Sequence, residues 1–260
     1  MDNPLEINAK RYQADEGYVY AEDPGLRKDQ RRLAAFIGTA AMGMPAVLAI
    51  GGTILSRYDL GKFRQSLSGF YYEEVLLGDI FVGTLIFIGT AMFIYRGWNP
   101  KVARLGSIGG VCAVLVALFP ADGWFLVRGG DPIFEFWSDR IHLFAAGALF
   151  AILAWFCFFV FTKVEEHQLD ENGEVLPSKR QRDRLYRFCG TVIVLAIAAS
   201  SVGHIVDVES ATRLRLTYWG ETVGLVAFGI SWMVQGRVFG TLLQDPRDRT
   251  DEVRAGTQES

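Results

Sequence analysis

The chain has 260 residues, half of them hydrophobic and 19 of them Phe, with a mean hydropathy of +0.21. That is too apolar for an ordinary soluble domain, and charged loops interrupt it too often for one buried core, so several membrane spans fit better. A formal net charge of -3 gives no electrostatic basis for nucleic-acid binding, and Cys112, Cys157 and Cys189 sit in apolar runs without a CxxC pair, which reads as packing and not as a disulfide or metal framework.

Residues 1–32 form a polar tail. Asp15, Glu16, Glu22 and Asp23 stand where a cleaved signal peptide would need a basic start and an apolar run, so the first span is expected to be retained. A basic run, Arg27, Lys28, Arg31 and Arg32, leads into span one, 33–55. Its Gly38, Ala40, Ala41 and Gly43 invite close approach of a neighbouring helix, and Pro45 removes a backbone donor and should bend it. A polar, aromatic approach follows, with Ser66, Ser68, Tyr71, Tyr72, Glu73 and Glu74, and then span two, 75–95, which carries Asp79 about one turn inside. Span three, 103–119, is closed by Pro120. The acids and aromatic rings of 120–141 suit an interfacial loop. Span four, 142–161, opens on His142. A DENGE turn at 170–174 and the basic run Lys179, Arg180, Arg182, Arg184 and Arg187 precede span five, 188–206; span six is 218–238, and a charged tail covers 239–260.

The fold expected is therefore an all-α, polytopic bundle of six spans. Lys and Arg are about twice as frequent beside the spans on the side of the two termini as on the other, which orients both termini to the cytoplasm of a prokaryotic cytoplasmic membrane.

In that orientation spans two, four and six run from outside to inside, and their ionisable residues fall at one depth: Asp79, His142 and Glu221. Span five rises to the same face with His204 and Asp207, and Asp122 follows Pro120. The pattern predicts an outward-facing polar pocket whose ligand-binding residues are Ser68, Tyr72, Asp79, Asp122, His142, His204, Asp207 and Glu221. An Asp in hydrocarbon is costly, so Asp79 is expected to face other helices, either in a site or paired with Arg64, Arg140 or a tyrosine; by this reading Asp79→Asn disturbs function more than Glu74→Gln. Glu221 lies between Gly220 and Gly224, a spacing whose plainest meaning is a tight helix contact.

Three functions suit this pattern. The first is a membrane protein that binds a lipid-like or small ligand at the pocket, with membrane lipids as its surroundings. The second is a metal-assisted intramembrane hydrolase of lipid, with Asp79, His142, His204 and Glu221 as catalytic candidates and as ligands for zinc, the metal such a set would take. The third, a small-solute transporter, predicts polar groups at both faces; the inner part of the spans offers no ionisable side chain.

The blocks LSGFYYEEVLLGDIFVG (67–83), FPADG at Phe119, HLFAAGALF at His142, RLYRFCG at Arg184 and WGETVGLVAFGISWMVQG at Trp219 resemble uncharacterised prokaryotic six-helix membrane proteins, those grouped as domain of unknown function 998, over about residues 33–238. That resemblance implies the six-span fold and no activity. A more distant similarity is to the CREST membrane hydrolases, which bring a Ser, an Asp and three His to zinc; Ser68 and Asp79 would match the Ser and Asp. Tyr72 stands where that pattern has a His, Glu221 stands in a last span without HxxxH, and there are six spans in place of seven.

Overall fold

The computed structural model describes residues 24–55, 66–72, 75–97, 100–119, 121, 132–164, 168–169, 172–205 and 215–239. Among them are six long helices: α1 Pro24–Leu55, α2 Val75–Ile94, α3 Pro100–Leu118, α4 Pro132–Trp155, α5 Pro177–Ile205 and α6 Leu216–Gln235. A short 3-10 helix, Ser68–Tyr72, precedes α2, and a single wide turn, Phe156–Val160, continues α4. The described residues contain no strand beyond one isolated antiparallel bridge, Leu169 to Val175, which closes the turn at Gly173 where φ is +79°.

Among the described residues five stretches are long and apolar enough to cross a membrane: Lys28–Leu55, Leu76–Ile94, Pro100–Leu118, Phe136–Val160 and Pro177–Ser201. They give the chain the build of a multi-pass membrane protein. Three helices begin well before the apolar runs that mark them: α1 at Pro24, α4 at Pro132 and α5 at Pro177. Each of these, like α3, opens on proline, whose fixed φ and missing N–H suit the first helical position, so polar sequence is drawn into the helix ahead of the span. The stretch 132–141 is consequently helical and not loop, and α1 runs unbroken through Pro45.

The helices form a ring in chain order. Each packs on its successor, and α6 returns to pack on α1. Glycines set the tightest crossings: a Cβ on Gly38 of α1 would lie 2.6 Å from the carbonyl oxygen of Gly229 on α6, and one on Gly89 of α2 would lie 2.7 Å from that of Gly110 on α3. Only hydrogen-sized side chains let backbones meet so closely, which is how helices gain contact where lipid removes the hydrophobic drive. All three cysteines are buried among these contacts and unlinked.

One end of the ring is filled by aromatic rings around Trp232, which is fully buried. Tyr95, Phe156, Phe161 and Phe228 stand 4.8 to 5.5 Å from it, centroid to centroid, and Tyr186 stacks behind Phe161. The wide turn makes this arrangement: the Phe161 N–H reaches back five residues to Phe156 O, so both rings face the centre. Below the plug, buried Lys179 donates to Phe161 O at 2.9 Å and to Asp183 at 2.5 Å, and the Tyr186 hydroxyl donates to Gln235 at 3.2 Å.

Candidate functional site

The opposite end of the ring is hollow. Between α4, α5 and α6 lies a cavity of about 120 Å³, roofed by Ser68 and Ala121. Its polar lining is Ser68, Asp139, His142, Ser200, Ser201 and Glu221; its apolar lining is Leu143, Ala146, Phe150, Ala196 and Ile197, with Gly147 and Gly220. A volume of that size exceeds what a single water occupies several-fold, so it has room for a small molecule or a solvent cluster.

The 3-10 helix is held over the cavity from two directions. Leu67 and Phe70 are buried in the core, and the Leu67 N–H donates to Glu221 Oε2 at 2.6 Å, across 154 residues of sequence. The hydroxyls of Ser66 and Ser68 lie 3.0 Å apart, and Ser66 Oγ accepts the Gly69 N–H at 3.1 Å. Glu221 can approach because Gly220, one residue before it, brings α6 against α5: a Cβ there would sit 2.8 Å from Ala196 O. The glycine contact and the site are thus two parts of one arrangement.

His142 is 6% exposed, and its Nδ1 is 2.7 Å from Phe119 O. A carbonyl oxygen only accepts, so Nδ1 carries hydrogen, and in the neutral ring the lone pair belongs to Nε2. Together with the Asp139 and Glu221 carboxyls this makes a site rich in acceptors. Among the described residues the lining holds no Lys or Arg.

Of the residues expected to converge, Ser68, His142 and Glu221 do so. Asp79 does not. The buried stripe of α2 is Leu77, Phe81, Leu85, Ile88 and Met92, and Asp79 lies two positions from Leu77, about 200° around the helix at 3.6 residues per turn, with an exposed side chain. Arg140, one proposed partner for it, is exposed and rests its guanidinium 4.8 Å over the Phe136 ring. Asp122, Asp207 and Arg64, and the side chains of Tyr72 and His204, lie outside the described residues. Among the described residues no three His, Cys, Asp or Glu side chains gather as a metal site would require.

Asp139, Ser200 and Ser201 were not anticipated. Asp139 and His142 are three apart on α4 and therefore share a face, a signal readable once the helix is known to start at Pro132. No family model, no curated protein and no solved structure matches the chain.

Proposed function

We propose that the protein crosses the membrane six times, α6 included, and holds a small or lipid-like ligand in an outward-facing pocket. The reading rests on one observation: a cavity with polar groups at its mouth and apolar groups beneath, at the end of the bundle where Arg140 and Arg215 stand and away from the larger cluster of basic residues. Lys28, Arg31 and Arg32 of α1, Lys101 and Arg104 of α3, and Arg180, Arg184 and Arg187 of α5 all stand at the other end, which by the positive-inside tendency faces the cytoplasm. For α6, its 20 residues equal α2 in length, and Trp219 and Val223 are exposed like the apolar residues of its neighbours. Its polar residues include Glu221, which belongs to the cavity.

The aromatic plug around Trp232 supports a binder over a transporter, because a solute leaving the cavity inward would have to part five packed rings. Metal-assisted hydrolysis would need a converging ligand set, and the described residues hold none.

Mass spectrometry of small molecules extracted from the purified full-length protein tests the pocket. Wild type should carry a stoichiometric ligand that His142→Ala and Asp139→Asn each retain at less than a third of the wild-type amount. Equal retention by both variants would overturn the site.

A further inference from the structure

The outer side of α5 carries a line of arginines. Arg180, Arg184 and Arg187 are all exposed, and at spacing i, i+4, i+7 they fall within about 60° of one another around the helix at 3.6 residues per turn. Thr191, Leu195 and Ala198, exposed as well, continue the same line, and Phe188 stands beside it. The Thr191 hydroxyl donates to Arg187 O at 2.9 Å, so its polar group is satisfied within the helix. From Phe188 to Ala198 this apolar part covers about 15 Å, half the thickness of a bilayer core and thus one leaflet.

The point at which arginine gives way to Phe188 is level with the ends of the neighbouring helices. Tyr186 bonds to Gln235, the last residue of α6, and Gly190 lies against Phe158 in the wide turn that finishes α4. Arg187 therefore stands at the membrane surface, with Arg184 and Arg180 about 4.5 and 10.5 Å farther out along the axis. Helical side chains lean toward their own N-terminus, which in α5 is the surface end, so Arg184 and Arg187 are directed to the headgroup layer and not into hydrocarbon. Asp183, the acid of this stretch, holds Lys179, and Arg180 Nε donates to Val175 O at 2.9 Å, which fixes the outermost arginine beside the turn. Orientation in the membrane asks for positive charge at this end on any face. Among the described residues α5 alone sets three exposed cations on one narrow line, and that line runs straight into lipid-facing side chains.

We propose that this line binds an anionic phospholipid of the leaflet at the sealed end, with its phosphodiester between Arg184 and Arg187 and its acyl chains along Phe188, Leu195 and Ala198. A guanidinium presents two parallel N–H donors that match two phosphate oxygens, which an ammonium cannot do. A glycerol head leaves the negative charge of the phosphodiester in place, whereas a choline head brings a cation that the arginines repel. The site lies at the other end of the bundle from the cavity and stands or falls independently of what the cavity holds.

The test is native mass spectrometry of the full-length protein released from nanodiscs of equal phosphatidylglycerol and phosphatidylcholine, counting the lipids that stay bound. Wild type should retain phosphatidylglycerol over phosphatidylcholine, and Arg184→Gln/Arg187→Gln should cut the retained phosphatidylglycerol at least threefold, roughly what two surface cations contribute as a minimum. Lys28→Gln/Lys101→Gln removes the same charge from the same end, one exposed lysine from each of two other helices, and should retain as much as wild type. Should the glutamine pair on α5 fail to give monodisperse protein, Arg184→Lys/Arg187→Lys replaces it: the charge stays, the planar fork goes, and retention should fall by at least about half. Equal losses from the two glutamine pairs, or full retention by the lysine pair, would reduce the line to general surface charge and overturn the site. Displacement of the lipid by a large molar excess of glycerol phosphate would assign the arginines to a soluble phosphate, and absence of any headgroup preference in wild type would leave them to an acidic protein partner; either result overturns the lipid site.

Discussion

Asp79 and Glu221 show how little a residue type says without its angle on a helix. Both are carboxylates near the mouth of the bundle, but Glu221 accepts a backbone N–H and lines the cavity, whereas Asp79 projects from the face opposite the buried stripe of α2. An intramembrane acid faces inward when it is deep; within a turn or so of the helix start it can reach water or headgroups without a partner. Asp79→Asn should therefore leave ligand retention within twofold of wild type, and Glu221→Leu, which removes the acceptor for Leu67, should reduce it severalfold, both read by the same extraction. The buried Lys179 makes a second residue-scale case. Lys179→Met strips donors from Phe161 O and Asp183 together and should cost about 1–3 kcal/mol, seen as earlier thermal aggregation in detergent. Adding Asp183→Leu should restore part of that, because the partly buried carboxylate that lost its partner is gone. That Ser68, His142 and Glu221 share one depth was legible because it could be counted from the span ends, and all three line the cavity. Ser200, Ser201 and Gly147 were not legible, since small residues in a span carry the same letters whether they pack a helix or leave a gap.

Among the elements, α1 gives the sharpest contrast between residues that look alike. Gly38 and Gly43 both stand in a run of small residues, yet a Cβ on Gly38 collides with α6 backbone atoms at 2.6 Å while one on Gly43 meets nothing within 4 Å. Gly38→Val should split α1 from α6 and lower the unfolding temperature in detergent by many degrees, or abolish monodisperse protein. Gly43→Ala should be neutral or raise it slightly, since alanine gains up to about 1 kcal/mol over glycine in a helix interior. The helix count and type were legible from apolar length alone, because hydrocarbon leaves a chain no alternative to internally satisfied helices. The starts of α1, α4 and α5 were less so: an apolar count ends at the membrane surface, and only the prolines at 24, 132 and 177 tell that the helix goes on. That extension matters to the site, for it turns Asp139 from a loop acid into a neighbour of His142 on one helical face.

At the scale of the whole molecule, the bundle is polar and hollow at one end and aromatic and sealed at the other, and which end faces out decides what ligand it can meet. In the orientation proposed above, the basic residues flanking the sealed end face the cytoplasm, where positive loops are held back during insertion. Two exposed acids probe this without disturbing either end: Asp79 beside the hollow end and Glu174 in the connection between α4 and α5 at the sealed end. The native cysteines are buried in the bundle, so each single Asp79→Cys or Glu174→Cys variant adds one accessible thiol. On intact cells a membrane-impermeant maleimide should label Asp79→Cys and leave Glu174→Cys untouched until the cells are permeabilised. The reverse pattern would place the cavity toward the cytoplasm, and whatever ligand it holds would then be drawn from that side of the membrane.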